Sequence, residues 1–134
     1  MVSYRMIKCI RCGVEKRQAT SCVGKYCSIK CQAMSTSDLV IQNWLSGKEK
    51  GWTGKTVQLK KSIKRHLLST RGAKCEECGW GELHPIDGKP LVEIDHIDGD
   101  AKNCKPDNLK IVCPNCHAKT STFRNRNKSS SRVR

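Results

Sequence analysis

Ten cysteines in a chain of 134 residues constrain this fold more than anything else in it. Eight stand at chelating spacing: Cys9 with Cys12, Cys27 with Cys31, Cys75 with Cys78, and Cys113 with Cys116. Apolar residues make up 37% of the chain, and that figure includes the cysteines. A core this thin is marginal for a small domain, which then needs a staple. Disulfides and zinc are the two candidates. Paired thiols at CxxC spacing chelate one ion, and thiolates are soft ligands that select zinc. The first residues, Met1 to Lys8, lack the apolar stretch of a signal peptide. The expected compartment is therefore reducing and cytoplasmic, which again favours zinc. No run approaches the ~20 apolar residues that would cross a membrane.

The chain carries 26 basic and 12 acidic side chains, a formal charge of +14. Two four-thiolate zinc sites would lower this by four, to about +10, because each adds four negative charges and one divalent cation. Such a surplus on a small protein points to nucleic acid before anionic membrane. No amphipathic segment with aromatic anchors supports the membrane alternative.

Four regions follow from the punctuation of the sequence. Residues 1–34 read as a zinc knuckle built on Cys9, Cys12, Cys27 and Cys31, with Cys22 as the alternative to Cys27. Residues 35–70 read as a helical, basic, DNA-contacting linker region. Within it a helix is expected over 36–46, capped by Thr36 or Ser37. A linker loop follows over 47–54, with Trp52 as a packing anchor, and a second helix over 56–69. The polar face of that helix would offer Lys60, Lys61, Lys64 and Arg65 to phosphates. His66 reads as a surface or packing residue. Residues 71–124 read as the chemical module, and 125–134 as a basic flexible tail, with Arg124 and Arg126 at its root as further phosphate contacts.

Inside the module, Leu91-Val-Glu-Ile-Asp-His-Ile alternates like a half-buried strand. That places Leu91, Glu93 and Asp95 on one face, with Val92, Ile94 and His96 on the other. A turn-rich stretch leads to the extended run Leu109-Lys-Ile-Val. Pro114 then suits the first turn of a helix reaching about Arg124. The order is strand, loop, strand, helix. An Asp beside an imidazole suits a harder divalent ion than a thiolate cage does, so one metal site would staple and another would do chemistry. Asp98 and Asp100 are lower-ranked ligands, since Asp-Gly-Asp is also an ordinary turn. His84 and Cys104 fall outside the pattern, as a structural histidine and a free thiol.

The ordered set Cys75/Cys78, Asp95-His96, Asn108, Cys113/Cys116-His117 resembles the HNH nucleases, the ββα-metal (His-Me finger) endonucleases. The stretches Trp-Leu-Ser-Gly-Lys-Glu-Lys-Gly-Trp, Ile-Asp-His-Ile-Asp-Gly-Asp and Leu-Lys-Ile-Val-Cys-Pro-Asn-Cys-His are similar to small free-standing bacteriophage endonucleases, including homing enzymes. The resemblance implies an α+β chain with a zinc-stapled ββα-metal module, preceded by helices and the N-terminal knuckle. It implies that His96 is the general base and that Asp95 and His117 hold the catalytic ion, Mg²⁺ or else Mn²⁺ or Ni²⁺. Asn108 would bond across the loop and hold His96. Cys75, Cys78, Cys113 and Cys116 would bind one structural Zn²⁺, with a second in the knuckle.

The implied reaction is metal-dependent hydrolysis of phosphodiesters in double-stranded DNA, by nicking or double-strand cutting, to 5′-phosphate and 3′-hydroxyl ends. A phage origin would place it in the cytoplasm of an infected bacterium. The competing expectation is a catalytically inactive, zinc-dependent DNA-binding module. It would have lost one of Asp95, His96 or His117, and none is lost. Oligomeric state is left open, a monomer included.

Overall fold

The structure is a computed structural model that describes residues 1–126. The expected 125–134 tail falls almost wholly outside them. The chain divides into two compact units, Met1–Gln42 and a second beginning at Asn43. Its mixture of short antiparallel strands and helices is α+β.

In the first unit, strands β1 (Tyr4–Lys8) and β2 (Glu15–Ala19) pair as a hairpin, from Tyr4 opposite Ala19 to Lys8 opposite Glu15. The connection carries Cys9 and Cys12. It closes through Gly13 N–H to the Cys9 carbonyl at 2.9 Å, with Gly13 at φ +75° as such a turn demands. Helix α1 begins at Ile29 and runs to Leu45, seven residues earlier than the helix expected at 36. Ser28 supplies the cap, its Oγ accepting from the Cys31 N–H at 3.2 Å. Thr36 and Ser37 lie inside the helix, and Thr36 Oγ1 bonds back to the Gln32 carbonyl at 3.1 Å. The apolar pattern starts late because the first turns are organised by thiols rather than by a hydrophobic stripe.

The second unit corrects several expectations. The stretch from Gly47 is not a plain linker: β3 (Trp52–Thr53) pairs with β4 (Gln58–Leu59) in a miniature hairpin. Lys60 N–H closes it onto the Gly51 carbonyl at 2.9 Å. Val57 and Leu59 therefore belong to this hairpin, and helix α2 spans Lys61–Arg71 instead of 56–69. Its Ile63 and Leu67 are buried.

The third correction concerns the last helix. Helix α3 covers only Pro114–Ala118, and a separate 3-10 turn spans Phe123–Asn125 with Arg124 at φ +53°. The helix ends in a tighter turn, where the Thr120 N–H (3.1 Å) and its Oγ1 (2.9 Å) both donate to the His117 carbonyl.

Strand β5 (Glu93–His96) pairs antiparallel with β6 (Leu109–Val112), placing Glu93 opposite Val112 and His96 opposite Leu109. The expected strand from Leu91 is shorter, because Pro90 bridges Leu83 and Leu91 bonds the Glu82 carbonyl. Leu109, Ile111 and Val112 are buried, and Trp80 and Cys116 pack on Cys75, Val112 and Cys113. Arg71, the last residue of α2, donates to the carbonyls of Leu109 (2.5 Å) and Pro106 (2.6 Å). The end of α2 thus fixes the start of β6, beside Asn108.

Candidate metal centre and catalytic cleft

Two groups of four thiols converge. Cys9, Cys12, Cys27 and Cys31 come together in the first unit, with ligand atoms all within 4.8 Å of one another, and so do Cys75, Cys78, Cys113 and Cys116 in the second. Cys22 is exposed and outside the first group, leaving Cys27 as its member. The sulfur separations are 3.5 Å for Cys12–Cys27 and Cys27–Cys31, and 3.8 Å for Cys78–Cys113. A disulfide requires ~2.05 Å. Four sulfurs at ~2.3 Å from a tetrahedral ion lie ~3.8 Å apart. The spacing fits a four-thiolate zinc site and is wider than a disulfide bond.

The thiols resist sharing charge without a cation. Burial raises Cys75, yet the Cys113, Cys78 and Glu77 backbone N–H groups outweigh it and bring it down to about 6. The neighbouring Cys113 sulfur, burial and the other thiols push Cys116 up to about 12. A divalent ion would relieve that conflict.

Local bonding explains the second cluster. Gly79 N–H reaches the Cys75 carbonyl and Cys75 N–H the Trp80 carbonyl, forming the thiol turn. Glu76 anchors that turn to β6 twice, through its N–H to the Ile111 carbonyl at 2.8 Å and its carboxylate to the Ile111 N–H. Cys113 precedes α3 and its Sγ accepts from the Cys116 N–H at 3.3 Å, so the cluster caps the helix.

The next residue faces elsewhere. Neighbours on a helix are ~100° apart, and while Cys116 joins the thiols, His117 meets β5. His117 Nδ1 lies 2.5 Å from Glu93 Oε2, and Nε2 lies 3.5 Å from Asp95 Oδ1. The two carboxylates share the strand face that alternation assigns them. Phe123 packs edge-on against the imidazole at 5.1 Å. Among the described residues, no Lys or Arg pairs with Glu93 or Asp95. Asp95 Oδ1 and His117 Nε2 thus converge as an N/O pair that a divalent cation could share. Glu93 was not singled out in the sequence. Its signal was the shared face with Asp95.

His96 ends β5 half-buried, its Nε2 3.5 Å from Cys104 Sγ. Burial lowers its pKa, against the opposing pull of Asp95, Asp98 and Asp100, so the ring favours the neutral form. Asn108 bonds across the loop: its Oδ1 accepts from Asp98 N–H (3.1 Å), and its Nδ2 donates to Asp98 Oδ1 (2.9 Å) and the Asn103 carbonyl (2.7 Å). It touches the loop rather than the His96 ring. Asp98 is consumed by the same network, also accepting from Asn103 Nδ2 at 2.6 Å and Asp100 N–H at 2.9 Å. The Asn103 amide, Asp100 N–H and Asn108 hold its carboxyl down at about 2. These bonds leave it a loop staple rather than a spare ligand. His84 likewise serves its own turn, accepting from Ile86 N–H at 3.2 Å.

Of the basic residues, Lys60 precedes α2 and is tied to Glu49 at 2.9 Å. Lys61, Lys64 and Arg65 are exposed on one face of α2 and, among the described residues, form no ion pair. Arg124 and Arg126 are exposed. Trp52 is half-buried in a groove of about 510 Å³, with the Lys50 and Lys102 ammonium groups over its ring at 5.1 and 5.8 Å. His66 packs edge-on to Trp44 at 6.2 Å. Among the described residues, no helix is long and apolar enough to cross a membrane.

A stretch of 55 residues is 46% identical to the H-N-H endonuclease F-TflIV of Escherichia phage T5. It covers 40% of this chain and 23% of the phage protein. This likeness bears out the resemblance to HNH endonucleases. No family model matches the chain, and no solved structure matches it.

Proposed function

We propose that this chain is a metal-dependent DNA endonuclease of the HNH, ββα-metal type. The observation that carries the reading is the placement of His117. Its imidazole sits between Glu93 and Asp95 on one face of β5, while adjacent Cys116 belongs to the thiol cluster. A staple alone needs neither carboxylate.

Asp95 and His117 would hold the catalytic ion, Mg²⁺ or else Mn²⁺ or Ni²⁺. When bound, that ion supplies charge relief to the scissile phosphate and its leaving oxygen. Glu93 orients His117 by accepting the Nδ1 hydrogen, leaving Nε2 free on the Asp95 side. His96, kept neutral by burial, takes the proton from water as the hydroxide attacks phosphorus. Asn108 holds the loop that follows His96 in register. The P–O3′ bond breaks and the departing oxygen takes a proton from solvent water, which leaves 5′-phosphate and 3′-hydroxyl ends. Lys61, Lys64 and Arg65, with Arg124 and Arg126, would track the phosphates of duplex DNA. Two Zn²⁺ ions would be structural.

The test is supercoiled plasmid with Mg²⁺ or Mn²⁺, with a chelator and His96→Ala as controls. Metal-dependent relaxation or linearisation, lost in the variant, is the expected result. A mobility shift with intact plasmid in every metal, repeated on a pool of sequences, would replace this reading with an inactive DNA-binding module.

A further inference from the structure

We propose that Cys104 is a positioning residue for His96: its thiol accepts the Nε2 hydrogen, fixing the ring in one tautomer and leaving Nδ1 as the basic nitrogen. The functional part of this inference rests on His96 acting as the base.

Cys104 is 3% exposed and belongs to neither thiol cluster. Among the described residues its Sγ has two polar neighbours, the Ala101 carbonyl at 3.4 Å and His96 Nε2 at 3.5 Å. A thiol has one hydrogen, and a carbonyl can only accept. The arrangement that satisfies both contacts sends S–H to Ala101 and Nε2–H to sulfur. The reverse would press a sulfur lone pair against the carbonyl oxygen. Burial first, and then the Asp100 charge, push the Cys104 pKa up, so the group stays a neutral thiol. Among the described residues, Nδ1 of His96 has no hydrogen-bond partner.

Cys104 is itself held. The Trp44 indole donates to its carbonyl at 2.6 Å, and Trp44 is buried. Gly51, at φ +85°, lies so close that a Cβ there would stand 2.8 Å from Cys104 Cβ and 3.1 Å from the Trp44 ring. The chain of contact runs from Trp44 and Gly51 through Cys104 to the imidazole. In the sequence Cys104 reads as a free thiol, because the residue it meets lies at no ligand spacing.

The test compares Cys104→Val, which keeps the volume and removes the acceptor, with Cys104→Ser, which keeps an acceptor and a hydrogen. Both are made in the full zinc-loaded chain with ¹⁵N-labelled histidine, with zinc content and DNA affinity measured alongside. Wild type is expected to show His96 as the Nε2–H form. Cys104→Val should show mixed tautomers and cleave saturating plasmid about tenfold more slowly, the scale of losing an orienting partner, with DNA affinity unchanged. Cys104→Ser should keep the Nε2–H signature and recover most of the rate. If the valine variant fails to fold, Cys104→Ala gives the same comparison.

A single Nε2–H form and full rate without the thiol would overturn the proposal, as would a serine variant indistinguishable from valine. The tautomer readout needs no cleavage. A wild-type protein inert on DNA would therefore sink the nuclease reading while the spectrum still decides the role of Cys104.

Discussion

Replacing Asn108 tests whether the loop between β5 and β6 is held by one side chain. Asn108→Ala removes three hydrogen bonds. Two go to main-chain groups, the Asp98 N–H and the Asn103 carbonyl, and each contributes about 1 kcal/mol net. The third, to the exposed Asp98 carboxylate, is screened by solvent and adds little. The loop should therefore lose about 2 kcal/mol, which at ~1.4 kcal/mol per decade raises its opening constant about 30-fold. The β5–β6 ladder remains, including Ile97 N–H to the Asn108 carbonyl at 2.9 Å.

Hydrogen exchange should show the Asp98 and Asp100 amides accelerated by that factor, with the β6 amides at wild-type rates. Asn108→Asp should be worse at neutral pH, because it places a carboxylate where Asn108 Nδ2 stood 2.9 Å from Asp98 Oδ1. The introduced carboxyl would take the shared proton, since Asp98 keeps the Asn103 amide and the Asp100 N–H that hold its own carboxyl low. Its folded pKa is raised, so the extra instability grows as pH rises and vanishes below about pH 4, where an ordinary Asp is protonated. Wild-type exchange in Asn108→Ala, or identical Asp and Ala variants at pH 7, would refute the reasoning.

His96→Ala should lower cleavage by about 10²–10⁴ with DNA affinity retained; unchanged cleavage in single-turnover assays would remove His96 from the mechanism. Cys113→Ser should unfold the module and drop zinc from two ions per chain to one, and a wild-type melt with both ions bound would contradict it. Glu93→Gln should weaken Mn²⁺ binding by about 10–100-fold, as removal of an orienting carboxylate does, while zinc content stays constant; calorimetry reads the first and elemental analysis the second. Substituting Lys61, Lys64 and Arg65 together by Ala should flatten the salt dependence of duplex binding by up to ~2.7 in log–log slope, at ~0.9 per phosphate contact. An unaltered slope would mean that face of α2 does not meet DNA.

The parts legible from sequence were those whose spacing is itself a physical constraint. CxxC and CxxxC pairs can close on one ion only if their partners meet, and the thiols expected to meet do so. Alternation along β5 put Glu93 and Asp95 on one face, and the ~100° step put Cys116 and His117 on different ones. Element ends were less legible. Ser28 caps α1 in a stretch without apolar periodicity, and Val57 and Leu59 fit a helical stripe although the glycines at 51 and 54 turn them into a hairpin. Cys104 illustrates the remaining gap. Its contacts with Trp44, 60 residues away, and with His96 arise from packing that leaves no periodic trace.

The five-residue α3 places a thiol of the four-cysteine cluster and a proposed catalytic ligand side by side. A helix of this length does not persist by itself, so His117 takes its position from the cage next door. On the proposed reading, two kinds of chelation should therefore silence the protein with different time courses. Withdrawing the hard ion from Asp95 and His117 should act at once and reverse on re-addition. Stripping the soft ion from the thiols should act slowly, at the pace of unfolding, and supplying Mg²⁺ afterwards should restore nothing until zinc has rebuilt the shelf on which His117 stands.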